Sequence, residues 1–88
     1  MIKPLIEYDF ALALPRDWEE RWTEAKRLAR QYGFSVDRRG NMIKISGPVS
    51  GVITVVDGRG YVRITKKPFY MSIRQIENKI RKYLSKVA

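Results

Sequence analysis

Between residues 5 and 14 apolar side chains fall on every second position, at Ile6, Tyr8, Phe10, Leu12 and Leu14, with Glu7, Asp9, Ala11 and Ala13 between them. A period of two predicts a strand with one buried face. After Pro15 the spacing changes. Trp18, Trp22, Ala25, Leu28, Ala29 and Tyr32 recur at the helical period, which predicts a helix over 16–32 whose apolar stripe packs into the core. Pro15 suits a first helical turn, and Asp17 followed by Glu20 reads as a capping box with acids at the positive end of the dipole. Gly33 stands where a left-handed residue ends a helix.

Short β-rich runs follow at 34–38, 42–46, 52–56 and 61–65, separated by Arg39-Gly40-Asn41, by the loop 47–51 and by Asp57-Gly58. Asp-Gly between alternating runs is a strong hairpin signal, so these runs predict an antiparallel meander. One face would carry Ile43, Ile45, Ile53, Val55, Val62 and Ile64, the other Met42, Lys44, Thr54, Val56, Tyr61, Arg63 and Thr65. Lys66-Lys67-Pro68 breaks the pattern. Ser72 with Gln75 forms a second capping box, and Met71 with Ile76 a hydrophobic staple, so a helix starts near Ile73. Ile73, Ile76, Ile80, Tyr83, Leu84 and Val87 occupy about 100° of its circumference and are expected to pack, with Arg74, Lys79, Arg81, Lys82 and Lys86 expected on the opposite side as a basic stripe. The order β-α-β-β-β-β-α predicts a two-layer α+β fold in which both helices cover one face of an antiparallel sheet. Its 88 residues suffice for a single domain, 1–88, with one core.

Composition narrows the chemistry. The chain has no cysteine and no histidine, so disulfides, thiolate or imidazole metal sites and histidine acid–base catalysis are excluded. The acids fall in caps, turns and surface positions, without metal-ligand spacing or an acid/base pair. No enzyme and no cofactor is expected, and no small-molecule substrate is evident. No apolar run reaches the ~20 residues of a membrane span and no signal peptide opens the chain, so a cytoplasmic location is expected. Few amides and abundant Arg, Lys, Ile and Val resemble the composition of thermophilic proteins.

Charge changes the picture most. Residues 1–25 hold three basic side chains against six acids, whereas 26–88 hold fifteen against three, for a net charge of +9 overall. A field of that sign attracts polyanions, and nucleic acid is the expected partner. Residues 59–88 alone carry nine basic side chains and one acid, Glu77. Arg63, Lys66, Lys67, Ser72 and Arg74 approach the start of the last helix, where free amides favour phosphate. Lys44, Arg59, Arg81 and Lys82 complete the candidate set. Against this, a Lys-Lys-Pro loop and a basic helix face also serve solubility. On the other sheet face Tyr61 stands between Lys44 and Arg63 as a potential stacking residue, but Met42, Val52, Val56 and Tyr61 fit a homodimer interface better. Glu7 and Asp9 are placed to pair with Lys44 or Arg63. The tips Gly58-Arg59-Gly60 and Arg38-Arg39-Gly40-Asn41 read first as turns.

Several segments carry a resemblance. They are Tyr32-Gly33-Phe34 closing a helix, Asn41-Met42-Ile43-Lys44-Ile45, the Gly47-Pro48-Val49-Ser50-Gly51 turn, the alternating run 52–56, Val62-Arg63-Ile64, and the helix Ile76-Glu77-Asn78-Lys79-Ile80-Arg81-Lys82-Tyr83-Leu84. In these the chain resembles the polyhydroxyalkanoate granule-associated (polyhydroxyalkanoic acid system) protein family over about three quarters of its length. That resemblance implies a small α+β domain and a structural role, and it supplies no catalytic residue. The helix–strands–helix order, with Gly47-Pro48 and Lys66-Lys67, is also similar to a double-stranded RNA-binding domain. Two functions are therefore expected: a basic, non-enzymatic nucleic-acid-binding protein, or a homodimeric scaffold module.

Overall fold

A computed structural model describes residues 7–87. Its elements are β1 (Phe10–Ala13), α1 (Trp22–Gln31), β2 (Ser35–Arg39), β3 (Met42–Ser46), β4 (Ser50–Val56), β5 (Arg59–Lys66) and α2 (Ile73–Val87). The five strands form one antiparallel sheet in the order β1-β5-β4-β3-β2, with both helices on one face. The α+β architecture expected from the alternation is thus the one observed. Asp57 and Gly58, with φ of 50° and 77°, make the tight β4–β5 turn.

Register decides which residues face the helices. Phe10 pairs with Val62 and Val62 with Ile53, which pairs with Ile43, so these four share the covered face. Phe10, Leu12, Val62 and Ile76 form the buried centre, against which Val49, Ile64, Met71, Ile73, Ile80 and Leu84 pack. Burying side chains of this kind stabilises by about 1.5–3 kcal/mol each. Toward the end of β5 the ladder slips. Ser50 faces Lys66 while Gly51 faces Ile64, which leaves Thr65 as the extra residue of a bulge.

β4 and β5 run longer than the expected 52–56 and 61–65, taking in Ser50 and Gly51 of the expected loop and Arg59 and Gly60 of the expected tip. Two further boundaries differ, each for a local reason. β1 begins at Phe10 because the Asp9 carboxylate accepts the Ile64 N–H at 2.7 Å, in place of a backbone carbonyl from a longer strand. The alternation breaks there: Tyr8 meets Tyr61 on the open face instead of joining Phe10 and Leu12. Leu5 and Ile6, also assigned to this strand, lie outside the described residues, as does the side chain of Val87.

The first helix starts at Trp22, six residues later than the spacing predicts. No Asp17–Glu20 capping box forms. Arg21, one helical turn on, takes the Asp17 carboxylate at 2.6 Å, a charge-assisted bond to a full cation. This pairing holds the Asp17 carboxyl below its ordinary range. Residues 16–21 form successive turns instead. Arg38 of β2 ties them to the sheet: its guanidinium pairs with Glu19 at 2.5 Å, lies 4.4 Å from the Trp18 ring centroid, and donates to the Gly40 carbonyl at 2.9 Å. The helix ends as predicted. Gly33, at φ 84°, donates to the Arg30 carbonyl and Phe34 to that of Ala29, the paired bonds of a Schellman motif.

The stripe of α1 does not close onto the sheet as core. Only Ala29 is buried; Trp18, Trp22, Ala25 and Leu28 are half-buried and Tyr32 is exposed. Between α1, α2 and the sheet lies a cavity of about 590 Å³. A dry void of that size would cost about 14 kcal/mol at roughly 24 cal/mol per Å³, comparable to the whole stability of a small domain. The space is partly open to solvent, and Lys79, Lys82 and Lys86 are among the exposed side chains that line it. At the far end of the helices, Tyr83 reaches across to Ala25, Tyr32 packs edge-on against Tyr83, and Lys86 donates to the Tyr32 hydroxyl at 2.7 Å.

Candidate nucleic-acid interface

The segment joining β5 to α2 begins Lys66-Lys67-Pro68-Phe69-Tyr70. Its backbone is fixed at the helix end by a complete capping box: Ser72 N–H donates to Gln75 Oε1 at 2.9 Å, and Gln75 N–H donates to Ser72 Oγ at 3.2 Å. Ser72 is therefore committed to the cap, and part of the amide array expected to meet phosphate is already satisfied. Lys67 is committed too, since its ammonium donates to the Met71 carbonyl at 2.7 Å. What the segment turns outward is Lys66, Arg74 and two aromatic rings. Phe69 is 96% exposed and Tyr70 73%. Their rings meet edge-on, with centroids 5.6 Å apart, so each braces the other while leaving ring surface open to water.

Tyr70 borders a shallow depression of about 620 Å³ whose other walls are Pro48, Pro68, Met71, Gln75, Asn78 and Lys79. It combines an aromatic edge, two amide side chains and an ammonium group. That set suits a planar heterocycle attached to an anion. Aromatic faces stack bases of any identity, amides hydrogen-bond their edges, and lysine meets the phosphate.

The remaining sequence-predicted cations are not gathered here. Arg63 is paired with Glu7 at 2.6 Å, as the alternation of strand one foreshadowed. Asp9 takes the Ile64 amide and neither Lys44 nor Arg63. Arg81 is held by Glu77 at 2.7 Å and donates to the Ala11 carbonyl at 3.3 Å, covering the free edge of β1. Lys44 and Arg63 share the open sheet face with Val52 between them, about 10 Å apart across two strand spacings. Arg59 sits at the β4–β5 turn on the same face, and Lys82 stands on α2 and lines the cavity. Among the described residues, Lys44, Arg59, Lys66, Arg74 and Lys82 have no ion-pair partner. Lys66 and Arg74 are the two that flank the aromatic pair. Arg38, placed at a hairpin tip by the sequence, is withdrawn to Glu19 and Trp18.

On the open face Tyr61 is half-buried beneath Tyr8, with centroids 4.9 Å apart and planes at 67°. Met42 is 50% exposed, and Val52 and Val56 are half-buried. These side chains form an apolar strip crossed by Lys44 and Arg63.

Sequence reasoning missed Phe69 and Tyr70. The signal was present: two aromatics outside any periodic run, between a helix-breaking Lys-Lys-Pro and a capping box, have no core position to fill. Among the described residues no group of three or more acidic side chains is placed to hold a metal ion, and no helix is long and apolar enough to cross a membrane. No protein-family model, no curated protein and no solved structure matches the chain.

Proposed function

We propose that this protein binds nucleic acid, with the β5–α2 segment as its contact surface and single strands as its preferred form. The observation that carries this is the exposed Phe69–Tyr70 pair set between the uncommitted cations Lys66 and Arg74. Bases stack on the rings, and Lys66, Arg74 and Lys79 meet the backbone; Asn78 and Gln75 line the depression that a base would enter. The surplus of positive charge draws the polyanion in and makes affinity depend on salt. Nothing in this reading requires catalysis.

Fluorescence anisotropy against a single strand, a DNA duplex and an RNA duplex, repeated over a range of salt, tests it. The expected result is saturable binding of the single strand near physiological salt. Phe69→Ala/Tyr70→Ala should weaken it by about 1–3 kcal/mol per stacked base with the salt slope retained. Lys66→Glu/Arg74→Glu should flatten the slope. Binding confined to very low salt, or indifference to the aromatic pair, would overturn the proposal.

A second reading is self-association through the open sheet face. It is favoured by Met42 and Tyr8, both about half exposed and apolar on that face. A concentration-dependent dimer by sedimentation, abolished by Val56→Asp, would support it.

A further inference from the structure

We propose that the cavity between the sheet and the two helices is a binding site for a single-chain anionic amphiphile of the fatty-acid carboxylate type. Its volume of about 590 Å³ lies within the range of small-molecule pockets. The walls are almost wholly apolar, with Trp18 and Trp22 on one side and Ile45, Ile53, Ile64 and Ile80 around the rest. An apolar hollow of this kind holds water poorly and takes hydrocarbon readily.

The charge at its border selects the head group. Arg21, Lys79, Lys82 and Lys86 all line the cavity, and no aspartate or glutamate does. The three lysines fall at i, i+3 and i+7 along one side of α2, next to the apolar arc. Two of the four cations are engaged: Arg21 holds Asp17, and Lys86 donates to Tyr32. Lys79 and Lys82 make no ion pair among the described residues. A carboxylate anchored between them would leave its chain in the hollow, satisfying both the apolar walls and the unpaired ammonium groups. A neutral hydrocarbon would use only the walls, and a cationic amphiphile would meet like charge.

This site shares Lys79 with the depression beside the aromatic segment proposed to bind nucleic acid, but its test has its own readout, because Trp18 and Trp22 line the cavity alone and report on its contents. Dodecanoate, dodecanol and dodecylammonium, each titrated below its aggregation concentration, should separate by head group. The expected result is a saturable change in tryptophan emission with dodecanoate at one equivalent, about tenfold tighter than with dodecylammonium, or about 1.4 kcal/mol. Lys79→Glu/Lys82→Glu, a surface change, should erase that preference while dodecanol binding persists. Ile45→Trp, filling the hollow, should abolish all three, and Phe69→Ala/Tyr70→Ala should leave all three unchanged. Equal affinity for the carboxylate and the ammonium, no saturable change, or undiminished binding by a folded Ile45→Trp protein would overturn the proposal. So would association with phosphatidylglycerol vesicles in the absence of any monomeric dodecanoate binding, which would place the affinity at a lipid surface.

Discussion

The Tyr83 hydroxyl donates a hydrogen bond to the backbone carbonyl of Ala25, and through it α2 is fastened to α1 above the cavity. The phenol is half-buried, and burial, Glu24 and Tyr32 together raise its pKa above the ordinary 10.0. Tyr83→Phe should lower stability by about 0.5–1.5 kcal/mol, the usual net worth of such a bond, as read by urea denaturation. The pH dependence has a definite sign. A raised folded-state pKa means the native state holds the proton more tightly, so this contribution is intact below pH 10 and is lost as pH rises through the folded value. The gap between wild type and Tyr83→Phe should therefore narrow in the alkaline limb.

Acid should act at a different place. Arg27 holds the Glu24 carboxyl below its ordinary range through a direct hydrogen bond, and Arg21 does the same for Asp17. Depressed folded-state values contribute stability that is present above the ordinary carboxylate range and lost as pH falls through the folded values. Both pairs are solvent-exposed, so the loss should be small and should diminish in high salt. Glu24→Gln/Asp17→Asn, compared with wild type by thermal melts between pH 2 and 6, should show a shallower acid limb.

Asp9 replaces a strand. Because its carboxylate accepts the Ile64 N–H at 2.7 Å, Asp9→Ala leaves that amide without its partner and should cost about 1–3 kcal/mol. Hydrogen exchange at the Ile64 amide should accelerate far more than at the amide of residue 9, which still donates to the Val62 carbonyl.

The bulge at Gly51 admits no side chain. A Cβ there would lie 2.6 Å from the Arg63 carbonyl oxygen, a backbone atom that cannot rotate away. Gly51→Ala should destabilise by about 1–3 kcal/mol through forced backbone movement, and the β4–β5 amide resonances should shift together.

Ser72→Ala separates two roles assigned to one hydroxyl. As an N-cap it should cost about 1 kcal/mol of stability. As a committed cap, not a phosphate ligand, it should leave nucleic-acid affinity and its salt slope unchanged in anisotropy titrations.

The alternation of Ile43, Ile45, Ile53, Val62 and Ile64 made the sheet and its covered face legible, because a period of two admits no other placement once one face is buried. Ser72 with Gln75, and Gly33, marked true helix boundaries because nothing nearby competed for their bonds. Asp17 misled because Arg21 offered its carboxylate a cationic partner one turn on. Asp9 misled because a side-chain oxygen can stand in for a strand. Candidate cations were legible as a surplus but not as a site: Arg63, Lys67 and Arg81 have internal partners that only the tertiary arrangement supplies. The cavity left no trace at all in the periodicity of α1, since a stripe facing a hollow and a stripe facing a packed core are written with the same residues.

The position of β1 at the edge beside β5 also bears on how the chain reaches this structure. Strands β2 to β5 join through successive local hairpins, and each pairing closes only a short loop. Pairing of Ala11 with Tyr61 spans 50 residues, and closing so long a loop carries an entropic cost that neighbouring contacts do not repay in advance. The meander would form first and the N-terminal strand would dock last, drawn by an acidic segment toward a basic sheet and latched by Glu7 on Arg63. Seen in time, the division of charge along the chain becomes a guide for its slowest folding step.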